Sequence, residues 1–401
     1  MYSAKITLTS LPPETKFIFS ILQKKGPITK HELILLTKMK LTTLNRFIKP
    51  LNAANLLLET GKGESELGRK PVLLDINPSR YWLIGIDLSR TYVQIVFTNL
   101  KLQIIEKRIF PMDATTTPNK TIQKMAQILN ETMQHFHLDK QLCLGVGVGT
   151  VGPLEITKGM MLCTQNFPAP GWSEIPICSL VESQFELPVY LDNGANTALL
   201  SESLFGDGRN YRNILYINCG VGIRTGATSG ANIVRTVKDA EDAFGHMVID
   251  FDGEACNCGN YGCLECYASI PAIKTRFITE LKKGRFSVIH YPSEKIDYQD
   301  ICQAADRDGD ALAMEVITSA ATALGIGLAN YINLLNPDLI ILSGPLIHNS
   351  KLYYEICIQT ALKKHYLNKT NKIAFSKGGF FGEQAIAVGA GALVIENSLK
   401  F

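Results

Sequence analysis

Apolar positions in the first eighty residues recur at helical spacing. Phe17, Ile18, Ile21 and Leu22 fall on one face, and a second helix opens at Thr29, where Thr29 and Glu32 have capping-box spacing just after Pro27. A third stripe, Leu44, Phe47, Ile48 and Leu51, leaves Thr42, Thr43, Asn45, Arg46 and Lys49 on the other face. Pro50 lies inside that stripe and lacks a backbone N–H, so the third helix is predicted to kink or end near Lys49. Leu56 to Glu59 and Val72 to Ile76 then read as two strands around a polar, glycine-rich loop. Three short helices and a hairpin predict a winged helix-turn-helix over residues 1–80.

From Tyr81 the pattern changes to apolar runs alternating with amphipathic stretches: Trp82 to Asp87, Val93 to Thr98, a helix near 120–136, then Leu142 to Val148. A second series follows, with Ile214 to Asn218, a long helix from Ala311 to Leu335, and Leu339 to Ser343 running into Gly344. Such alternation predicts an α/β fold. The economical division is two α/β lobes, 81–195 and 196–401, with a cleft between them and the C-terminal helix returning to the first lobe. The glycines that follow several strands suit close approach of a phosphate or sugar, but tight turns require them equally.

Composition narrows the class. With 46% hydrophobic and 19% charged residues the chain has the makings of real cores. No secretory leader and no apolar run of about 18 residues is present, which predicts a cytoplasmic protein without a membrane partner. The net charge of +3 is unevenly spread: residues 1–80 carry 13 Lys and Arg against 6 Asp and Glu, a net of +7, and the remaining 321 carry 27 against 31, a net of −4. A basic head on an acidic body fits a phosphate-backbone-binding module, and fits a solvated basic surface equally well.

The third helix adds chemistry to that charge. Hydroxyl, amide and guanidinium groups on Thr42, Thr43, Asn45, Arg46 and Lys49 suit a recognition helix in a major groove, while Lys62, Arg69 and Lys70 on the wing are placed to touch phosphates or a minor groove. The competing reading is a dimerisation or docking stub.

The strongest local motif is Gly245-His246 followed by Cys256-x-Cys258-Gly259-x-x-Gly262-Cys263. One imidazole and three thiolates, His246, Cys256, Cys258 and Cys263, form the donor set that tetrahedral Zn(II) prefers. Four protein ligands leave no open position, so the expectation is structural zinc rather than zinc catalysis. The alternative is four unliganded residues in a loop; Cys266 is spare, and the neighbouring Glu265 is aimed by the loop.

With Cys263-Leu264-Glu265 closing this motif, the sequence resembles the ROK family of repressors, open reading frames and kinases. With its head, it resembles the family's regulators of the xylose-repressor and N-acetylglucosamine-repressor type. Gly68-Arg69-Lys70-Pro71, Leu191 to Asn196, Asn333 to Pro337 and Gly389 to Ala392 extend the likeness over nearly the whole chain. The resemblance implies a two-lobed actin-like, sugar-kinase-like (ribonuclease H-like) fold behind the head. It also implies sugar contacts at Asn193, His246 and Glu265, with Asn166 at a further polar position.

Two departures from the family's kinases stand out: their general-base aspartate corresponds to Gly194, and a sugar-binding glutamate to Ala243. Their first phosphate loop reads Asp87-Leu88-Ser89-Arg90-Thr91 here, and a second glycine-pair loop reads Ser343-Gly344-Pro345. Phosphoryl transfer requires a group to orient the nucleophile and a cradle for phosphates, so no enzyme is expected. What is expected is a repressor of carbohydrate-metabolism genes bound to double-stranded operator DNA as a homodimer, or a dimer of dimers, under a sugar or sugar-phosphate effector. The gap left at Ala243 suits a bulkier ligand. The rivals are a sugar kinase with an appended DNA-binding head and a regulator controlled by a protein partner. Lys40, where the family's recognition helix usually starts on a small hydroxyl residue, departs from the pattern.

Overall fold

The computed structural model describes residues 8–62, 71–164, 167–234, 243–366 and 372–400, with side-chain detail at 62 excepted. The head is built from helix α1 (Pro13–Lys25), strand β1 (Ile28–Thr29), helices α2 (Lys30–Thr37) and α3 (Leu41–Ala53), and strands β2 (Leu57–Lys62) and β3 (Val72–Ile76), the strands forming a sheet in the order β1-β3-β2. This is a winged helix-turn-helix. Glu14 in the first turn of α1 and Lys24 and Lys25 in its last complement the helix dipole. Thr29 and Glu32 close a full capping box on α2.

Two details of the head differ from the sequence reading. In α1 the buried face carries Ile18, Phe19 and Leu22, while Phe17 is exposed. The helix α3 runs through Pro50 to Ala53. Pro50 sits only one turn from the helix end, so its missing N–H costs one hydrogen bond, and burial of Leu44, Ile48 and Leu51 outweighs that loss.

The lobe that follows contains strands β4 (Trp82–Leu88), β5 (Tyr92–Asn99) and β6 (Ile104–Pro111), helix α4 (Pro118–His135), strand β7 (Cys143–Thr150), a short hairpin of β8 (Leu154–Glu155) and β9 (Met160–Met161), helix α5 (Ile177–Phe185), strand β10 (Val189–Asn193) and helix α6 (Gly194–Phe205). Its sheet runs β10-β7-β4-β5-β6, with β4, β7 and β10 parallel. Ile84, Ile86, Val93, Phe97, Ile122, Val148 and Phe185 lie in its core.

The second compact unit spans Gly206–Ala385. It holds strands β11 (Ile214–Cys219), β12 (Ile223–Ser229) and β13 (Asn232–Ile233), helices α7 (Glu265–Ala268), α8 (Ile270–Lys282), α9 (Tyr298–Asp306) and α10 (Ala311–Leu335), strand β14 (Leu339–Ser343), helices α11 (Pro345–Asn349) and α12 (Lys351–Lys364), and strand β15 (Ala374–Lys377). The sheet order is β13-β12-β11-β14-β15. Among the described residues one helix, α10, is long and apolar enough to cross a membrane, and 61% of that stretch is buried inside this unit. The last helix, α13 (Ala385–Leu399), belongs from Ile386 onward to the first unit, together with the head and first lobe.

Candidate functional site

Two sets of chemistry-bearing residues are assembled locally, one in each unit. In the first, β10 ends at Asn193 and α6 begins at the next residue. The Asn193 side-chain oxygen accepts from the Ala195 N–H at 2.6 Å and so caps α6. Asp192 Oδ1 accepts from the Asn193 N–H at 2.8 Å and from Asn196 Nδ2 at 3.2 Å. The Asn193 Nδ2 is fully buried and has no hydrogen-bond partner among the described residues. A buried donor left unmade costs about 1–3 kcal/mol, so a hydroxyl oxygen arriving there would be favoured.

Gly194 lies beside that donor. A Cβ on it would stand 3.3 and 3.4 Å from Ile386 Cδ1 and Cγ2. A Cβ on Gly149 would lie 2.7 Å from Thr197 Oγ1 and 2.9 Å from Ile386 Cγ2. The Leu88 to Thr91 turn is a tight hairpin closed by the Ser89 N–H donating to the Tyr92 carbonyl at 2.9 Å. Burial pushes the Asp87 carboxyl up to about 7, opposed by the Tyr92 hydroxyl that donates to it at 2.8 Å.

In the second unit His246, Cys256, Cys258 and Cys263 converge. Their donor atoms all lie within 4.8 Å of one another, with His246 Nδ1 3.6 Å from Cys256 Sγ and the Cys258 and Cys263 sulfurs 3.7 Å apart. Bonds of about 2.3 Å to sulfur and about 2.0–2.1 Å to nitrogen set the edges of a tetrahedral site near 3.8 and 3.6 Å, so the donor set fits such an ion. The loop is pre-shaped by its backbone: Gly259 N–H donates to the Cys256 carbonyl at 2.9 Å and Cys256 N–H to the Asn260 carbonyl at 2.8 Å. Gly262 is required, because at φ +67° a Cβ would lie 1.5 Å from the Asp250 carbonyl oxygen. The Asn260 backbone N–H holds the Cys258 thiol below the ordinary cysteine range, whereas burial pushes that of Cys263 up to about 12; a bound cation would deprotonate both.

This loop also sets Glu265, the first residue of α7. Its N–H donates to the Gly245 carbonyl at 2.8 Å, and its Oε2 accepts from the Ile223 N–H at 3.0 Å. A Cβ on Gly222 would fall 2.9 Å from that oxygen and 3.1 Å from Nη1 of the buried Arg224, so a side chain there would displace one of these two groups. At the end of β14, Gly344 has φ +95°, and the space its Cβ would need holds Asn218 Oδ1 at 2.4 Å. The turn packs on β11, leaving its glycine face filled.

Of the residues expected to hold a sugar, Asn193 belongs to the first unit, His246 and Glu265 to the second, and Asn166 lies outside the described residues. On the head, Thr42, Asn45, Arg46 and Lys49 are exposed on α3 and Thr43 is half-buried. Asn45 accepts from Lys30 Nζ at 2.9 Å, a partner from α2 that helical spacing does not reveal. Lys62 ends β2, with its side chain outside the described detail, and Arg69 and Lys70 lie outside the described residues. Sequence reasoning missed Ile386 and Arg224, because each acts on a glycine distant in the chain or on the neighbouring turn, and spacing carries no signal for either.

The family model described as ROK family matches residues 83–397. A xylose repressor of Caldicellulosiruptor bescii is 28% identical over 93% of each chain. A glucokinase of Halalkalibacterium halodurans is 32% identical over 66% of this chain and 80% of its own. Among solved structures, a ROK family transcriptional regulator, a homologue of the Escherichia coli MLC protein, superposes with a TM-score of 0.77 at 24% identity, covering 96% of both chains. That likeness shows the fold.

Proposed function

The chain belongs to the ROK family, and on that premise we propose that it is a sequence-specific DNA-binding repressor of carbohydrate-metabolism genes that answers to a sugar or sugar derivative. The observation that carries this reading is the extent of the likeness. Similarity to a xylose repressor spans 93% of both chains and so includes the head, whereas similarity to a glucokinase covers 66% of this one.

In this reading Thr42, Thr43, Asn45, Arg46 and Lys49 of α3 meet the major groove, and Lys62, Arg69 and Lys70 of the wing meet phosphates. Asn166, Asn193, His246 and Glu265 take the effector's hydroxyls. Structural zinc is held by His246, Cys256, Cys258 and Cys263, which lock the loop that positions Glu265. The active form is a homodimer, which places two heads on a pseudopalindromic operator. Effector binding shifts operator affinity by a coupling free energy of about 1–3 kcal/mol.

The fold does not transfer phosphate in this reading, because position 194 has no carboxylate and Ile386 packs closely against it. Similarity to a glucokinase favours one alternative, a kinase carrying a DNA-binding head, which predicts ADP release when sugar and ATP are supplied.

Fluorescence anisotropy on DNA from upstream of the protein's own gene, at fixed salt and against a panel of sugars and sugar phosphates, tests the reading. Sequence-dependent binding shifted by one compound is the expected result. Binding that no compound shifts would leave a protein-controlled regulator, and absence of sequence-dependent binding would overturn the proposal.

A further inference from the structure

The first unit contains a continuous path from Asn193 to the DNA-binding head, and its middle section is α13. At the start of α13, Ile386 lies against Gly194 and Gly149. The helix then runs at backbone contact with its neighbours. A Cβ on Gly85 of β4 would lie 1.9 Å from the Ala387 carbonyl oxygen, one on Gly147 of β7 would lie 1.7 Å from that of Ala390, and one on Gly389 would lie 1.7 Å from the Thr197 carbonyl oxygen of α6. No side-chain layer separates α13 from the sheet or from α6, and close-packed interiors transmit displacement rather than absorb it.

At the far end, Lys16 Nζ of α1 donates to the Lys400 carbonyl oxygen at 2.9 Å, and Lys16 is only 7% exposed. The same helix is tied near its other end, where Gln23 Nε2 donates to the Leu100 carbonyl at 3.4 Å. Asp75 of β3 pairs with Lys101. Leu100, Lys101 and Leu102 form the turn between β5 and β6, and a Cβ on Gly391 of α13 would lie 3.9 Å from Leu102 Cδ2. Thus α1, which packs on α3 and also touches α6 directly, is held on one side by the end of α13 and on the other by a turn that α13 also touches.

We propose that α13 is the relay that couples occupancy at Asn193 to the head. An acceptor engaging Asn193 Nδ2 displaces the first turn of α6. Gly194 and Thr197 pass the shift to α13 at Ile386 and Gly389, and a helix about 22 Å long carries it to Lys400 and Lys16. The small residue at 194 permits this contact, since a longer side chain there would hold Ile386 away. The relay rests on the reading of Asn193 as an effector ligand and of α3 as the DNA-facing helix.

Hydrogen exchange on the full chain separates the relay from that reading. Lys16→Met cuts the output end and Ile386→Ala loosens the input end; Ile386→Val is the milder input variant should Ile386→Ala misfold. Both ends are expected to accelerate exchange of α1 amides about tenfold, while β7 and β10 exchange as in the parent. With D-xylose as the probe, the parent is expected to change exchange in both α6 and α1, and the variants to keep the α6 change and lose that in α1. Unaltered α1 exchange in both Ile386 variants would overturn the relay, leaving α13 as an anchor at Lys400 only, and an α1 response to D-xylose that survives in those variants would overturn it in favour of the direct α6–α1 contact. If D-xylose moves nothing even in the parent, D-xylose is not the effector, and the ligand-free comparison of the variants still decides the relay.

Discussion

Ile386 packs closely against Gly194, with its Cδ1 3.3 Å from the position of a Cβ there, so a side chain on Gly194 would require Ile386 to give way by a few tenths of an ångström. The position matched to the kinases' general base is therefore more than unfilled, because a carboxylate added to it meets a packed residue. Gly194→Asp tests the consequence. A negative charge at the first residue of a helix gains about 0.3–1 kcal/mol from the dipole, but overpacking a core costs about 1–3 kcal/mol, so the steric term wins. The variant is expected to melt lower than the parent and to release no ADP above background when mixed with glucose or xylose and ATP. Sugar-dependent ADP release in a coupled assay would show that the phosphate machinery is intact and that one substitution silenced it.

Cys258 is the exposed member of the metal set, and Cys263, 3.7 Å from it, is fully buried. The segment from His246 to Cys263 that carries the set exposes its large aromatics, since Phe251 and Tyr261 point into solvent at 86% and 60% exposure. In the zinc-bound reading, its order therefore depends on the ion. Elemental analysis is expected to find one zinc per chain in the parent and none in Cys258→Ser. Both that variant and chelator-treated parent should melt several degrees lower. A parent that purifies without metal and keeps its midpoint in chelator would remove zinc from the account.

Local chemistry was legible where the residues that decide it are neighbours in sequence. Thr29 and Glu32 marked the start of α2, and the Leu44, Ile48, Leu51 stripe marked the buried face of α3. The His246 and Cys256 to Cys263 pattern marked four residues whose donor atoms converge, and the apolar run Ala311 to Leu335 marked α10. Pro50 misled because its helix cost is local, whereas the burial that overrides it is tertiary. Phe17 was placed on the buried face that Phe19 takes for the same reason: two adjacent helical phases differ by which one meets the body, and α1 packs on α3, β3 and α6. The contacts that join distant segments, Gly194 with Ile386 and Lys16 with the Lys400 carbonyl, left no mark in spacing or composition.

Asp87 supplies a pH dependence. Burial raises its folded carboxyl to about 7 from an ordinary value of 3.8, so between those values the folded state holds a proton that the unfolded chain has released. The resulting stability is fully present below about pH 4 and is lost as pH rises through 7. Asp87→Asn keeps an acceptor for the Tyr92 hydroxyl and removes the titration. The variant is expected to match the parent below about pH 4 and to melt higher than it at pH 8, in thermal melts at constant ionic strength. Parallel curves across that range would mean that the carboxyl titrates normally.

Arg46 and Lys49 are both exposed on α3, yet their chemistry assigns them different work. The Arg46 guanidinium lies 4.9 Å from the Phe47 ring centroid, which orients its planar fork, while Lys49 is a point charge nearer the helix end. An oriented fork can read a guanine edge, whereas an ammonium suits a phosphate. Lys49→Ala is expected to weaken binding to the operator and to unrelated duplex alike and to reduce the salt slope by about 1. Arg46→Ala should cost about 1–3 kcal/mol on the operator and far less on unrelated DNA. Anisotropy titrations of both variants on both duplexes, from low to moderate salt, separate the two roles. If Arg46→Ala weakens both duplexes equally, α3 touches the backbone only, and base reading must come from elsewhere in the head.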